Sequence, residues 1–167
     1  MGRLYLLRHA KAQWALPGMR DFDRPLEAGG RVDAGRTGVT MRLNGYIPDV
    51  TLCSTAVRAR ETLQEVSSEA DTGRVVFCER LYGGDSTEYL EGVRNNAFGE
   101  AMLVVGHNPM MEDLAAALSG DGDPRAIAKL GLGFPTAGLA VIRFSGDLDK
   151  AEPGRGHLEA FHFPPGG

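Results

Sequence analysis

At 167 residues, with 43% hydrophobic and 24% charged side chains, the chain has the composition of one soluble globular domain with a proper core. Its 18 basic and 22 acidic residues leave a formal charge of −4, which provides no electrostatic footprint for nucleic acid. No apolar run approaches the ~20 residues needed to cross a membrane. Arg8 and Lys11 interrupt the short apolar N-terminus, so no signal peptide is expected and the chain is read as cytoplasmic.

In chain order, a first strand is expected over Arg3 to Arg8, then a helix over Leu26 to Leu43 in spite of Gly29, Gly30, Gly35 and Gly38. A second strand is expected at Asp49 to Cys53, followed by a helix with Ala56, Ala59, Leu63, Val66 and Ala70 at steps of three and four. Strands at Arg74 to Cys78 and Ala101 to Gly106 come next, then a helix carrying Met111, Leu114, Ala115 and Leu118. The last two strands, Gly138 to Phe144 and His157 to Phe163, read as a hairpin on the sheet edge joined by the polar loop Ser145 to Gly156. This alternation predicts an α/β fold: a single-domain, three-layer α/β/α sandwich over residues 1–163 with a mainly parallel sheet. Pro164 to Gly167 read as a flexible tail. Ser119 to Pro124 reads as a solvated turn, because its alternating aspartates lack the length and closing glutamate of an EF-hand. Cys53 and Cys78 cannot make a disulfide framework and read as small buried apolar groups.

Two histidines stand where a buried strand gives way to a loop, His9 after Leu4 to Leu7 and His107 after Met102 to Val105. In an open α/β sheet, ligands bind beyond the carboxyl ends of the strands, so both imidazoles are expected in one cleft. Arg8 adjoins the first histidine, and Arg58 falls in the first turn of the helix after Cys53, from which it can reach back over the strand ends. Arginine suits phosphate because its planar fork donates two parallel hydrogen bonds and keeps its charge. Asn108-Pro109 reads as an N-cap followed by proline at the first helical position, which would aim unpaired helix N–H groups into the cleft. Arg8, His9, Arg58, His107 and Asn108 together read as a phosphate site with a histidine placed to attack. No metal or cofactor is implied, since a two-histidine metal site would lack the third protein ligand that zinc sites supply. His157 and His162 read as ordinary strand residues, and Trp14 as a loop aromatic at the cleft mouth.

Arg8-His9, Ser54-Thr55-Ala56-Val57-Arg58-Ala59 and Gly106-His107-Asn108, in that order across residues 3–144, resemble the separated motifs of the histidine phosphatase superfamily, which includes the cofactor-dependent phosphoglycerate mutases. Arg8-His9-Ala10-Lys11-Ala12 and Asp21-Phe22-Asp23-Arg24-Pro25-Leu26, with the short length, are most similar to the SixA-type phosphohistidine phosphatases. The resemblance implies a phosphoglycerate mutase-like fold, attack by His9 to give a phosphohistidine intermediate, and charge stabilisation by His107. Ala10 stands where the wider superfamily has glycine, and alanine there points to the SixA-like members. Glu79-Arg80-Leu81-Tyr82-Gly83 resembles the segment that supplies the acid in mutases. That makes Glu79 the first candidate for the catalytic acid, with Asp85 and Glu88 behind it.

The leading expectation is a metal-independent phosphatase acting on phosphohistidine carried by a protein. The stretch from Cys78 to Ala101 leaves little room for the capping insertion with which mutases enclose a small substrate. A small-molecule phosphate-ester phosphatase or a sugar-phosphate mutase of the same superfamily remains an alternative, and a non-catalytic phosphate-binding module is a further one. Neither nucleic acid nor membrane is an expected partner.

Overall fold

Leu4 to Leu7 are almost wholly inaccessible to solvent, and their side chains alternate between two separate cores. The computed structural model describes residues 1–164, so residues 165–167 of the expected tail lie outside the described residues. Strand β1 (Gly2–Arg8) leads through a long loop to helix α1 (Ala28–Asn44), then β2 (Val50–Ser54), α2 (Val57–Ser67) and β3 (Arg74–Cys78). Next come α3 (Arg80–Gly83), α4 (Ser86–Asn96), β4 (Ala101–Gly106), α5 (Met110–Leu118), β5 (Ser119–Gly122), α6 (Pro124–Gly131), β6 (Leu139–Phe144) and β7 (Gly156–His162). The strands form one sheet in the order β3-β2-β4-β1-β6-β7-β5.

Pairing is parallel from β3 through β1, antiparallel from β1 through β6 to β7, and parallel again between β7 and β5. Leu4 and Leu6 of β1 and Met102 and Val104 of β4 pack with Tyr89, Val93, Met111 and Leu114 of α4 and α5. Tyr5, Leu7, Leu103 and Val105 point the other way and pack with Met41, Ala59, Leu63 and Val66 of α1 and α2. A period of two on central strands thus supplies both layers, the three-layer α/β/α fold expected of continuous apolar runs.

Glycine is what lets α1 dock. A Cβ on Gly30 would strike the Lys11 backbone, and one on Gly38 would meet Val66 and Glu69 of α2 at about 2.9 Å. The glycines that lower intrinsic helix propensity here allow close backbone approach.

One expectation is corrected. β1, β6 and β7 form the antiparallel side of the sheet as expected, but Ser119–Gly122, expected as a solvated turn, pairs in parallel with β7 as the outer strand β5. Gly120 and Gly122 permit this, since a Cβ at either would collide with the backbone of Gly154 or Leu158. The stretch from Cys78 to Ala101 also holds two helices, with the Asp85 carboxylate capping α4 by accepting from the Glu88 N–H. No helix among the described residues is long and apolar enough to cross a membrane.

Candidate active site

Strand register explains why residues far apart in sequence meet. Arg8 of β1 lies opposite Gly106 of β4, and Cys53 of β2 lies opposite Val105, so His9, His107 and Ser54 emerge side by side at the carboxyl ends of three adjacent strands. The His9 N–H donates to the Gly106 carbonyl at 3.0 Å, and the two imidazole centroids are 5.1 Å apart. Gly106 is required here, since a Cβ would sit 2.7 Å from the hydroxyl of the fully buried Tyr89. That hydroxyl accepts from the His107 N–H at 3.0 Å and donates to the Leu81 carbonyl, fixing the backbone from which His107 projects.

The His9 ring is held in one tautomer. Its Nδ1 lies 2.7 Å from the Ala10 carbonyl oxygen, which can only accept, so Nδ1 carries the proton and Nε2 bears the lone pair. Arg58, in the first turn of α2, points its Nε–H at that Nε2 from 3.3 Å. Thr62 joins the two elements: its hydroxyl donates to the Arg58 carbonyl at 2.7 Å and accepts from the Ala10 N–H at 2.9 Å.

Burial is the main cause that lowers the His9 imidazole to about 3, with His107, Arg58 and Arg8 pushing the same way against the Ala10 hydrogen bond. Burial likewise lowers His107 to about 4, helped by Arg58 and Arg8 and opposed by Asp21. Both rings are therefore neutral at pH 7. His107 Nε2 is 2.8 Å from the Ser54 hydroxyl, while its buried Nδ1 has no partner among the described residues.

Arg58 is clamped from outside the expected set. Its Nη1 donates to the Asp21 carbonyl at 2.9 Å and its Nη2 to the Asp21 carboxylate at 3.1 Å. The same carboxylate accepts from Arg24 Nη1 and from the Tyr82 hydroxyl, each at 2.9 Å. Hydrogen bonding from Arg24, then Tyr82 and Arg58, holds Asp21 down to about 2 against partial burial. Tyr82 also lies edge-on to His107, with centroids 5.6 Å apart, and stacks beneath the Arg58 guanidinium at 5.8 Å. Asp21, Tyr82, Ser54 and Tyr89 were missed as site residues because each is a single polar residue on a different element. Only the segments that carry Asp21, Ser54 and Tyr82 gave any signal, and Tyr89 had none.

Arg8 turns to the other side of the cleft, where its Nη1 donates to the Phe134 carbonyl at 2.8 Å and its buried Nε has no partner among the described residues. Asn108 is fully engaged: its side-chain N–H donates to the Phe134 carbonyl at 3.0 Å and its oxygen accepts from the Glu112 N–H at 3.2 Å. The helix begins one residue later than expected, at Met110, with Pro109 as its N-cap. The N–H groups of Met111, Glu112 and Asp113 bond to His107, Asn108 and Pro109, so these are not free anion donors. Glu79 is exposed at the end of the edge strand β3 and makes no side-chain hydrogen bond or ion pair among the described residues. β2 and β4 lie between β3 and β1, about 14 Å of sheet. Among the described residues no three His, Cys, Asp or Glu side chains gather as a metal set. Burial pushes the Cys53 thiol up to about 12, consistent with an inert packing role.

A protein from Mycobacterium tuberculosis, uncharacterized, is 39% identical over 163 residues, covering 95% of this chain and 99% of its own. The family profile of the histidine phosphatase superfamily (branch 1) matches residues 4–83. The chain belongs to the histidine phosphatase superfamily. A structure from Agrobacterium tumefaciens provisionally named phosphohistidine phosphatase SixA is 37% identical, with a TM-score of 0.84 over 98% of both chains. A second structure so named, from Nakamurella multipartitia, is 29% identical with a TM-score of 0.81 over 98% of this chain and 96% of that one. The protein is a phosphatase of this superfamily, close in structure to SixA.

Proposed function

We propose that this phosphatase removes phosphate from phosphohistidine on a protein, through a covalent intermediate on His9. The observation that carries the nucleophile is the His9 tautomer, with Nδ1–H fixed on the Ala10 carbonyl and a lone pair on Nε2 beside Arg58. Arg8, Arg58 and His107 surround the position a phosphoryl group would take, and their fixed donors suit a reaction governed by positioning and charge stabilisation. Nε2 attacks phosphorus, the N–P bond to the substrate imidazole breaks, and water then attacks phospho-His9 to release inorganic phosphate and restore the lone pair. An arriving dianion favours protonation of His107, which can then donate to it.

The proton inventory supports phosphohistidine as substrate. Asp21, the carboxylate tied to Arg58, is held near 2 and cannot donate a proton at neutral pH. The exposed Glu79 side chain makes no hydrogen bond or ion pair among the described residues, and the Asp85 carboxylate is engaged in capping α4, so neither is tied to the clamp as a ready acid for an alkoxide leaving group. An imidazole leaving group already protonated on its other nitrogen departs neutral and needs no enzyme acid. Release of phosphate from a phosphohistidine protein and from a panel of phosphate esters, with EDTA present, tests the substrate. A brief reaction with labelled substrate, quenched in alkali, should leave acid-labile, alkali-stable phosphate on His9. Normal labelling and turnover by His9→Ala would refute the covalent route.

A further inference from the structure

Trp14, the chain's one tryptophan, is 83% exposed on the loop that follows the nucleophile, with Leu16 beside it 64% exposed. It is not a frayed residue. The loop is pinned by Gln13, whose N–H donates to the Pro25 carbonyl at 2.8 Å and whose carbonyl accepts from Arg24 Nε at 2.7 Å. The Arg24 guanidinium lies over the Trp14 ring at 5.9 Å and bonds Asp21, which in turn holds Arg58. Three side chains therefore lead from the phosphate clamp to an exposed, pre-positioned aromatic ring. On the opposite rim, Leu132 is 83% exposed and borders a groove of about 340 Å³ that Arg8, Asn108, Phe134, Pro135 and Phe163 also line.

We propose that Trp14 and Leu16 on one rim, and Leu132 with its groove on the other, form a docking surface for the folded protein that carries the phosphohistidine. The proposal rests on the reading that phosphohistidine on a protein is the substrate. His9, Arg58 and His107 are only 9%, 7% and 4% exposed, so a phosphate on a short histidine side chain reaches them only if the carrier's surface lies across both rims. A typical interface covers roughly 800 Å² per partner, a disc about 16 Å in radius, so a carrier seated over the cleft must also rest on the surface around it. Exposed tryptophan held in one orientation is the kind of anchor that dominates such interfaces. A free phosphohistidine or a small ester would cover neither rim.

The test compares Trp14→Ala and Leu132→Ser with the parent enzyme on two substrates. One is a tryptophan-free carrier protein phosphorylated on a surface histidine with phosphoramidate; the other is free phosphohistidine. Trp14→Ala should lower kcat/KM on the carrier about 30-fold, mainly through KM, with Leu132→Ser costing less and the free amino acid unaffected within twofold. In His9→Ala, which cannot turn over, the emission of the sole tryptophan should move to shorter wavelength as phosphorylated carrier is added. Equal losses on both substrates, or none on the carrier, would overturn the docking surface. So would a parent dimer that Trp14→Ala converts to monomer with carrier kinetics unchanged, which would assign the rim to a second copy of the chain. A parent enzyme that hydrolyses esters but not the carrier's phosphohistidine would defeat the substrate reading itself, visible before any variant is made.

Discussion

Replacing Arg58 by alanine removes three fixed donations at once, from Nε to His9, from Nη1 to the Asp21 carbonyl and from Nη2 to the Asp21 carboxylate. Loss of one pre-organised donor from a site of this kind costs about 3 kcal/mol of transition-state stabilisation, a factor above one hundred in kcat/KM. The fold should tolerate the change, because Asp21 is half-exposed and keeps Arg24 and Tyr82 as partners. Arg58 is also one of the cations that depress both active-site histidines, so alanine should let their pKa values rise. Arg58→Lys separates charge from geometry. A lysine keeps a cation near the imidazoles but cannot span the Asp21 carbonyl, the Asp21 carboxylate and His9 with one ammonium. It should restore the histidine titration yet stay at least tenfold below the parent in kcat/KM. Steady-state kinetics on a phosphohistidine substrate, inhibition by vanadate and NMR titration of the imidazoles measure these effects. A kcat/KM for Arg58→Ala within threefold of the parent would refute the assignment of Arg58 to the phosphate clamp.

Three further outcomes are expected. His9 and His107 titrate near 3 and 4 in the folded protein, below the 6.5 of a free imidazole, so the unfolded chain binds more protons between these values. Their contribution to stability is therefore complete above about pH 6.5 and is lost as pH falls through about 4 for His107 and about 3 for His9; denaturant midpoints in His9→Asn should depend less on pH over that window, and an unchanged slope would contradict the shift. Gly106→Ala should destabilise by about 1–3 kcal/mol, seen as a lower Tm, because the Tyr89 hydroxyl it meets is fully buried, and activity should fall as His107 is displaced. Glu79→Gln should barely alter hydrolysis of phosphohistidine while any alkyl-ester activity falls ~10²–10⁴-fold; equal large losses on both would give Glu79 another duty, and no loss on either would make it structural.

The central strands and the cleft were legible because apolar runs announce β1 and β4, and a strand's end fixes where the next side chains emerge. His9 and His107 meet because Arg8 and Gly106 are register partners, a consequence of parallel pairing that the runs imply. The outer strand β5 was not legible, since Ser119-Gly120-Asp121-Gly122 has no apolar alternation and pairs only because its glycines permit close approach. Helix α6 was overlooked although Asp123-Pro124 marks its start, with the Asp123 carboxylate accepting from the Arg125 and Ala126 N–H groups. Asn108-Pro109 misled in the opposite direction: proline occupies the cap rather than the first helical position, and the helix closes its own N–H groups. The Asp21 clamp depends on a long loop folding back over α2, which no local pattern encodes.

Charge and protons are divided in this site between groups that cannot change and groups that change only on binding. Arg8 and Arg58 supply positive charge at every physiological pH, whereas burial keeps His9 and His107 neutral until an anion offsets the cost of charging one of them. A neutral His9 keeps its lone pair for attack, and the Ala10 carbonyl ensures that the lone pair is on Nε2. The Asp21 carboxylate is engaged in orienting Arg58, and three donors hold it ionised. Such a site can grip a phosphoryl group and attack it, but it gives little help to a basic leaving group. On the proposed reading, selection falls on substrates whose leaving group departs unaided, as a protonated phosphoimidazole does, and on the contacts that hold the carrier. The same Asp21 that fixes Arg58 also fixes Arg24 beneath Trp14, so the geometry of attack and the geometry of the rim share one anchor.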